Sequence, residues 1–237
     1  MIHPTIQKLQ ELRLSGMVEA FYRQMETTSA SELSFEERLA FLVEHEWRLR
    51  QERKLARRIK QAKLKTEAAF EDIDFKTPRG FNRDLMIDLG RCQWIEHGRN
   101  LILTGPTGIG KTWIACALAS KACREGLRSY YIRVPRLLET LKLSRADGTY
   151  LKTLEKLTRY DLLILDDWGL SRYTGERQNL LLEVLDDRVG QRSVIMTTQL
   201  PIGKWHDLFD EPTIADAVLD RLLGDSIKIQ MKGDSLR

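Results

Sequence analysis

Cysteine is scarce. Cys92, Cys116 and Cys123 are the three in 237 residues, an odd number without a C-x-x-C pair. That argues against a disulfide framework and against structural zinc, and fits a reducing, cytoplasmic setting. Cys116 and Cys123 share one face of a predicted helix and read as buried thiols. The four histidines show no metal-ligand spacing. Long apolar runs are missing too, so no segment reads as membrane-spanning and no membrane partner is expected. The N-terminal stretch MIHPTIQKLQELRLSG has the pattern of a polar amphipathic helix rather than of a signal peptide. Internal repeats and low-complexity tracts are absent.

What is present is enough for a core. Apolar residues make up 42% of the chain and charged ones 30%, within the range of globular proteins. The length allows one large α/β domain or a small domain followed by a medium one. Net charge is only +4, but Trp47 to Lys65 holds nine basic residues and one acid, Glu52. Such a block can serve a polyanion or can be a solvated helix face.

Residues 1–65 read as all-helical. Ile6, Leu9 and Leu12 mark a first short helix ending near Ser15-Gly16, and Met17, Phe21, Tyr22 and Met25 a second. The polar stretch TTSASE breaks the pattern. Ser34 and Glu37 form a capping box for a third helix, with Leu39, Leu42 and Val43 as its apolar stripe. Residues 66–82, with Phe70, Ile73, Phe75, Pro78 and Gly80 among acids, read as an extended linker. From residue 83 to 237 strands alternate with helices. A helix from Arg83 to Ile95 is followed by strands at Leu101–Leu103, Ser129–Val134, Asp161–Asp166, Ser193–Thr198 and Ile227–Met231. Helices fall between them, and Pro135 is read as the stop of the second strand. This alternation predicts a parallel sheet covered on both faces.

The most informative stretch is NLILTGPTGIGKT, Asn100–Thr112. Gly105, Gly110, Lys111 and Thr112 fill the pattern G-x-x-x-x-G-K-[ST], between an apolar strand and a helix. Glycines let backbone N–H groups turn inward, and the helix directs its positive dipole end at the same place. Gly105, Pro106, Thr107, Gly108, Ile109, Gly110, Lys111 and Thr112 are therefore the expected nucleotide-binding residues. Lys111 would neutralise phosphate charge, and Thr112 would offer a hydroxyl to Mg²⁺.

Asp166 ends an apolar strand and is expected to hold Mg²⁺ with Thr112. Asp167 is assigned to the attacking water, with turn-capping as the alternative. Gln199 is the first choice, and Thr198 the second, for a polar group near the γ-phosphate; a strand-end turn residue is the alternative. Arg221, on a helix with apolar Ala217, Val218, Leu222 and Leu223, is either a salt-bridge partner or a finger aimed at a neighbour's nucleotide. The residues alone favour the salt bridge.

Taken together, FEDIDF, GPTGIGKT, LLILDDWG, TTQLPIGKWHDLFDEPTIADAVLDRLL and the closing KGDSLR resemble the IstB-like helper ATPases of bacterial insertion sequences. These are relatives of DnaC-type helicase loaders within the AAA+ group. The resemblance spans essentially the whole chain. It implies an α/β fold: a P-loop ATPase core with a parallel five-stranded sheet in the order 5-1-4-3-2 and an N-terminal helical domain. As a departure from most AAA+ proteins, the sequence to Arg237 is expected to be without a C-terminal lid. The resemblance also implies ATP and Mg²⁺ as cofactors, ATP-dependent self-assembly on double-stranded DNA, and a transposase partner. By position Arg221 matches the family's arginine finger and Gln199 its sensor. Arg188 matches a recurrent arginine of unassigned role. With no lid, Arg237 stands as a candidate for an arginine normally found there. Asp167 stands where many AAA+ proteins have glutamate, which implies slow hydrolysis. A helicase loader and a small-molecule kinase are the rival readings. The kinase lacks a lid insertion. The loader lacks obvious stacking platforms, since Phe21, Tyr22, Phe35, Phe41 and Trp47 lie at core-like spacing.

Overall fold

The computed structural model describes residues 4–26, 33–77 and 79–235. The expected break at TTSASE, Pro78 and the candidate Arg237 lie outside the described residues. The chain divides into two compact units, Met1–Arg57 and Arg58–Arg237.

The first unit is helical: α1 (Pro4–Glu11), α2 (Ser15–Glu26) and most of α3 (Phe35–Ala62). The capping box forms as expected. Ser34 N–H donates to Glu37 Oε2 at 2.8 Å, and Glu37 N–H to Ser34 Oγ at 3.2 Å. Two expectations fail. Ser15-Gly16 does not end a helix; it begins α2. The buried face of α2 carries Gly16, Val18 and Ala20, whereas Tyr22 and Met25 are exposed. On α3, Leu39 and Val43 are exposed, while His45 and Glu46 are buried. The reason is electrostatic. Glu46 Oε2 accepts the N–H groups of Gly16 at 2.6 Å and Met17 at 3.2 Å, supplying an anion to the orphan donors of α2's first turn. Gly16 permits the approach, because a Cβ there would stand 2.8 Å from the Glu46 Cα.

The second unit is the α/β body. After α4 (Arg83–Gly90) and α5 (Gln93–Glu96), β1 (Asn100–Thr104) leads into α6 (Lys111–Arg124). Then come β2 (Ser129–Arg133), α7 (Val134–Ala146), α8 (Tyr150–Thr158), β3 (Leu162–Trp168), α9 (Glu176–Asp186), β4 (Ser193–Thr198), α10 (Pro212–Leu223) and β5 (Ser226–Gln230). The strands form a five-stranded sheet ordered β2-β3-β4-β1-β5, with every neighbouring pair parallel. Read from the other edge, this is the expected 5-1-4-3-2. The helix expected over Arg83–Ile95 is two, divided where Cys92 takes a left-handed backbone at φ 61°.

Alternation along β3 feeds two cores. Leu163 and Leu165 pack on one face of the sheet with Leu137, Leu141 and Leu181. Leu162 and Ile164 pack on the other with Met86, Ile114 and Leu118. Each such fully buried side chain contributes about 1.5–3 kcal/mol. The segment read as a linker is anchored by Ile73, which joins the second of these cores. Cys116 and Cys123 are buried free thiols, as expected, and so is Cys92.

Candidate functional site

β1 delivers the chain to a loop whose backbone only glycine accepts. Gly105 lies at φ 150° and Gly108 at φ 82°. A Cβ on Gly105 would come within 2.5 Å of the Met231 carbonyl oxygen, so the backbones of β1's exit and β5's exit touch. The loop ends at Gly110, and α6 begins at Lys111 with its unpaired N–H groups at the loop's mouth. Lys111 Nζ donates to the carbonyls of Gly105 and Pro106, both at 2.7 Å. Burial pushes the Lys111 pKa down, while the charges of Asp166 and Asp167 pull it up.

Across the cleft, β3 carries a β-bulge. Leu165 pairs with Met196 and Trp168 with Thr198, so Asp166 and Asp167 together oppose Thr197. The extra residue bends the strand, and Asp167 takes up a left-handed φ of 62°. The two carboxylates thereby acquire different surroundings. Asp166 is fully buried. Its Oδ1 accepts the hydroxyls of Thr112, at 2.8 Å, and Thr197. Its Oδ2 accepts the Tyr131 hydroxyl at 2.5 Å and lies 3.6 Å from Lys65 Nζ. Burial pushes the Asp166 pKa up, but Thr197, Tyr131, Thr112 and the charge of Lys65 outweigh it and leave the carboxyl below its ordinary value. Asp167 is partly exposed and receives Arg133 Nε on Oδ2 at 2.5 Å.

Between these elements lies a cleft of about 500 Å³, lined by Thr107, Gly108, Gly110, Lys111, Thr112, Asp167, Thr198 and Gln199 among others. That volume suits a small-molecule ligand. Thr112 Oγ1 and Asp166 Oδ1 are adjacent hard oxygen donors, a donor pair that fits Mg²⁺. Among the described residues no three His, Cys, Asp or Glu side chains are grouped to hold a metal. A cation here would take most of its ligands from phosphates and water, as Mg²⁺ commonly does.

The structure thus brings Lys111, Thr112, Asp167 and Gln199 to one cleft, with Asp166 buried behind Thr112. Gln199 is exposed at its rim. Thr198 is bound into the strand end: its hydroxyl donates to the Trp168 carbonyl at 2.8 Å and accepts Leu200 N–H at 3.0 Å. Arg221 is not among the residues that line this cleft. It is half-buried on α10, ion-paired to Asp186 on α9 and bonded to the Ala217 carbonyl at 2.7 Å. Arg188 is a buried structural cation. Its guanidinium donates to the carbonyls of Leu157, Tyr160 and Ser193 at 2.9, 3.1 and 2.8 Å. Burial pulls its pKa down to about 9, still protonated at neutral pH. Sequence reasoning missed Tyr131, Arg133, Thr197 and Lys65. Only Thr197 had a signal, as the strand residue immediately before the chosen pair.

Comparison with known proteins gives the same assignment. The profile of the family described as IstB-like ATP binding protein matches residues 7–237. A Sinorhizobium fredii protein named as an insertion sequence ATP-binding protein, y4pL, is 45% identical over 99% of this chain and 96% of its own. The protein named as the ATP-binding protein of insertion sequence IS1162 from Pseudomonas fluorescens is 46% identical over 85% of this chain and 87% of its own. In three dimensions the crystal structure of the DnaC helicase loader superposes with a TM-score of 0.58, covering 70% of this chain and 97% of that one at 20% identity. That likeness concerns the fold, an AAA+ P-loop core. With this loop, this bulged strand and these relatives, the chain belongs to the family of IstB-like ATP-binding proteins.

Proposed function

We propose that this protein is a DNA-binding helper ATPase that assembles on double-stranded DNA in an ATP-dependent way and regulates a partner transposase. The observation that carries the reading is the pairing of Thr112 Oγ1 with Asp166 Oδ1 at 2.8 Å beside the Lys111 loop. The phosphate cradle and the metal-ligating oxygens meet at one point, while Arg221 stands outside the cleft of its own chain. The names of the relatives support an insertion-sequence role.

In this reading Lys111 leaves the Gly105 and Pro106 carbonyls and neutralises β- and γ-phosphate charge. Thr112 and Asp166 hold Mg²⁺, which supplies further charge neutralisation when bound. Asp167 orients or deprotonates the attacking water once Arg133 releases it, and Gln199 senses the γ-phosphate from the rim. Arg221 of one copy completes the cleft of the next. The exposed cations Arg48, Lys54, Arg57 and Lys60 of α3 contact DNA phosphates, within an N-terminal region of residues 1–65 that serves partner and DNA. Contacts of that kind carry little sequence information and weaken steeply with salt.

Binding of a labelled ATP analogue tests the cleft. Lys111→Ala is expected to weaken affinity by about tenfold or more, the loss of a charge-assisted contact; unchanged affinity would remove the loop from nucleotide binding. Duplex DNA affinity should then depend on both ATP and salt. Capture of a hexameric helicase rather than a transposase by the full chain would replace transposition with helicase loading.

A further inference from the structure

The segment that follows α3 reaches the nucleotide cleft. Lys63 closes the helix in a left-handed conformation at φ 50°. Ala68 is buried with Cys116 and Ala117 of α6, and Leu64, like Trp113 and Tyr131, packs against that cluster. The chain between Leu64 and Ala68 is laid along the first turns of α6. This fixes the backbone and leaves the Lys65 side chain, about half exposed, to reach Asp166 Oδ2 at 3.6 Å.

Asp166 needs such a partner. It is a fully buried carboxylate, and its three hydroxyl donors are neutral. An unpaired buried charge is costly. Lys111 is occupied with the loop carbonyls, and Arg133 is paired with Asp167. Among the described residues Lys65 is the one cation in ion-pair range of Asp166. The same carboxylate faces Thr112, where the metal would sit. An ammonium and a divalent cation at one carboxylate repel each other.

We propose that Lys65 is the counter-ion of Asp166 in the metal-free protein, and that Mg²⁺ arriving with the nucleotide displaces it. Residues 63–67 thereby report whether metal-bound nucleotide occupies the cleft. The inference rests on reading the cleft as an ATP–Mg²⁺ site and adds a residue and a regulatory consequence to it.

The test uses the full chain, a fluorescent non-hydrolysable ATP analogue and a Mg²⁺ titration. Removing a half-exposed ion pair is expected to lower the Mg²⁺ midpoint for analogue binding in Lys65→Gln by about threefold. Lys65→Arg keeps the charge and should stay near wild type. Hydrogen exchange of residues 63–67 supplies a readout independent of turnover. In wild type with the analogue, exchange should rise on adding Mg²⁺; in Lys65→Gln it should be raised already without metal. A midpoint unchanged or increased in Lys65→Gln overturns the inference, as does exchange that ignores the metal in wild type. Lys111→Ala separates the two levels. If it binds the analogue as wild type does, or if wild type binds none, the cleft reading fails and this inference with it. If binding depends on Lys111 while the midpoint ignores Lys65, only this inference falls.

Discussion

At the scale of single residues, two adjacent aspartates have different surroundings because both sit in a bulge. Asp166 is turned into the sheet among hydroxyls, and Asp167 is turned out to Arg133. The Tyr131 hydroxyl at 2.5 Å from Asp166 is a charge-assisted bond in a dry place. Tyr131→Phe should lower the unfolding free energy by about 1–3 kcal/mol, measured by urea denaturation; a loss of a few tenths would show the bond to be dispensable. That Lys111, Thr112 and Asp166 would come together was legible in the sequence, because the loop pattern and the apolar strand set them at recognisable positions. Tyr131 and Lys65 were not. Both reach Asp166 from segments distant in the chain, and only the pairing of β2 with β3 and the packing of residues 64–68 on α6 bring them there.

At the scale of elements, the apolar strands declared themselves and their ends did not. The sequence ended the second strand at Val134, stopped by Pro135; the strand ends one residue earlier, at Arg133, and Pro135 sits in the first turn of α7, where its missing N–H costs nothing. The sequence ended the third strand at Asp166, because a bulge continuing β3 to Trp168 leaves no periodic trace. In the helical unit, Gly16 was taken as a helix stop, but it is a contact point between α2 and α3. Gly16→Ala should destabilise that unit by about 1–3 kcal/mol through overpacking against the Glu46 backbone, seen as faster hydrogen exchange across α2. Protection equal to wild type would show that the helices can separate without cost. The same contact predicts a pH dependence. Burial raises the Glu46 pKa, but bonds from Met17, Arg50 and Gly16 outweigh it and hold the carboxyl below its ordinary value. A lowered carboxyl pKa stabilises the folded state fully above its unfolded value and loses that contribution as pH falls through the folded one. The Gly16 and Met17 amide NMR shifts should therefore move at a lower pH than an ordinary glutamate titrates, and Glu46→Gln should remove the movement.

At the scale of the whole molecule, the sheet order expected from the family resemblance is the one observed, since strands alternating with helices admit few topologies. Assembly was not legible in the same way. Arg221 reads as a packed helix residue in sequence, and in this chain it is indeed ion-paired, to Asp186. Its proposed use requires a second copy. The account therefore stands on whether nucleotide in the Lys111 cleft joins copies through Arg221. Solution mass measured with and without a non-hydrolysable ATP analogue and duplex DNA, on wild type and Arg221→Ala, tests this most directly. Wild type is expected to assemble only with nucleotide, and Arg221→Ala to bind nucleotide but assemble weakly and lose ATP turnover. Wild type that binds nucleotide and stays monomeric on DNA, or an Arg221→Ala variant that assembles and turns over ATP as wild type does, would contradict it.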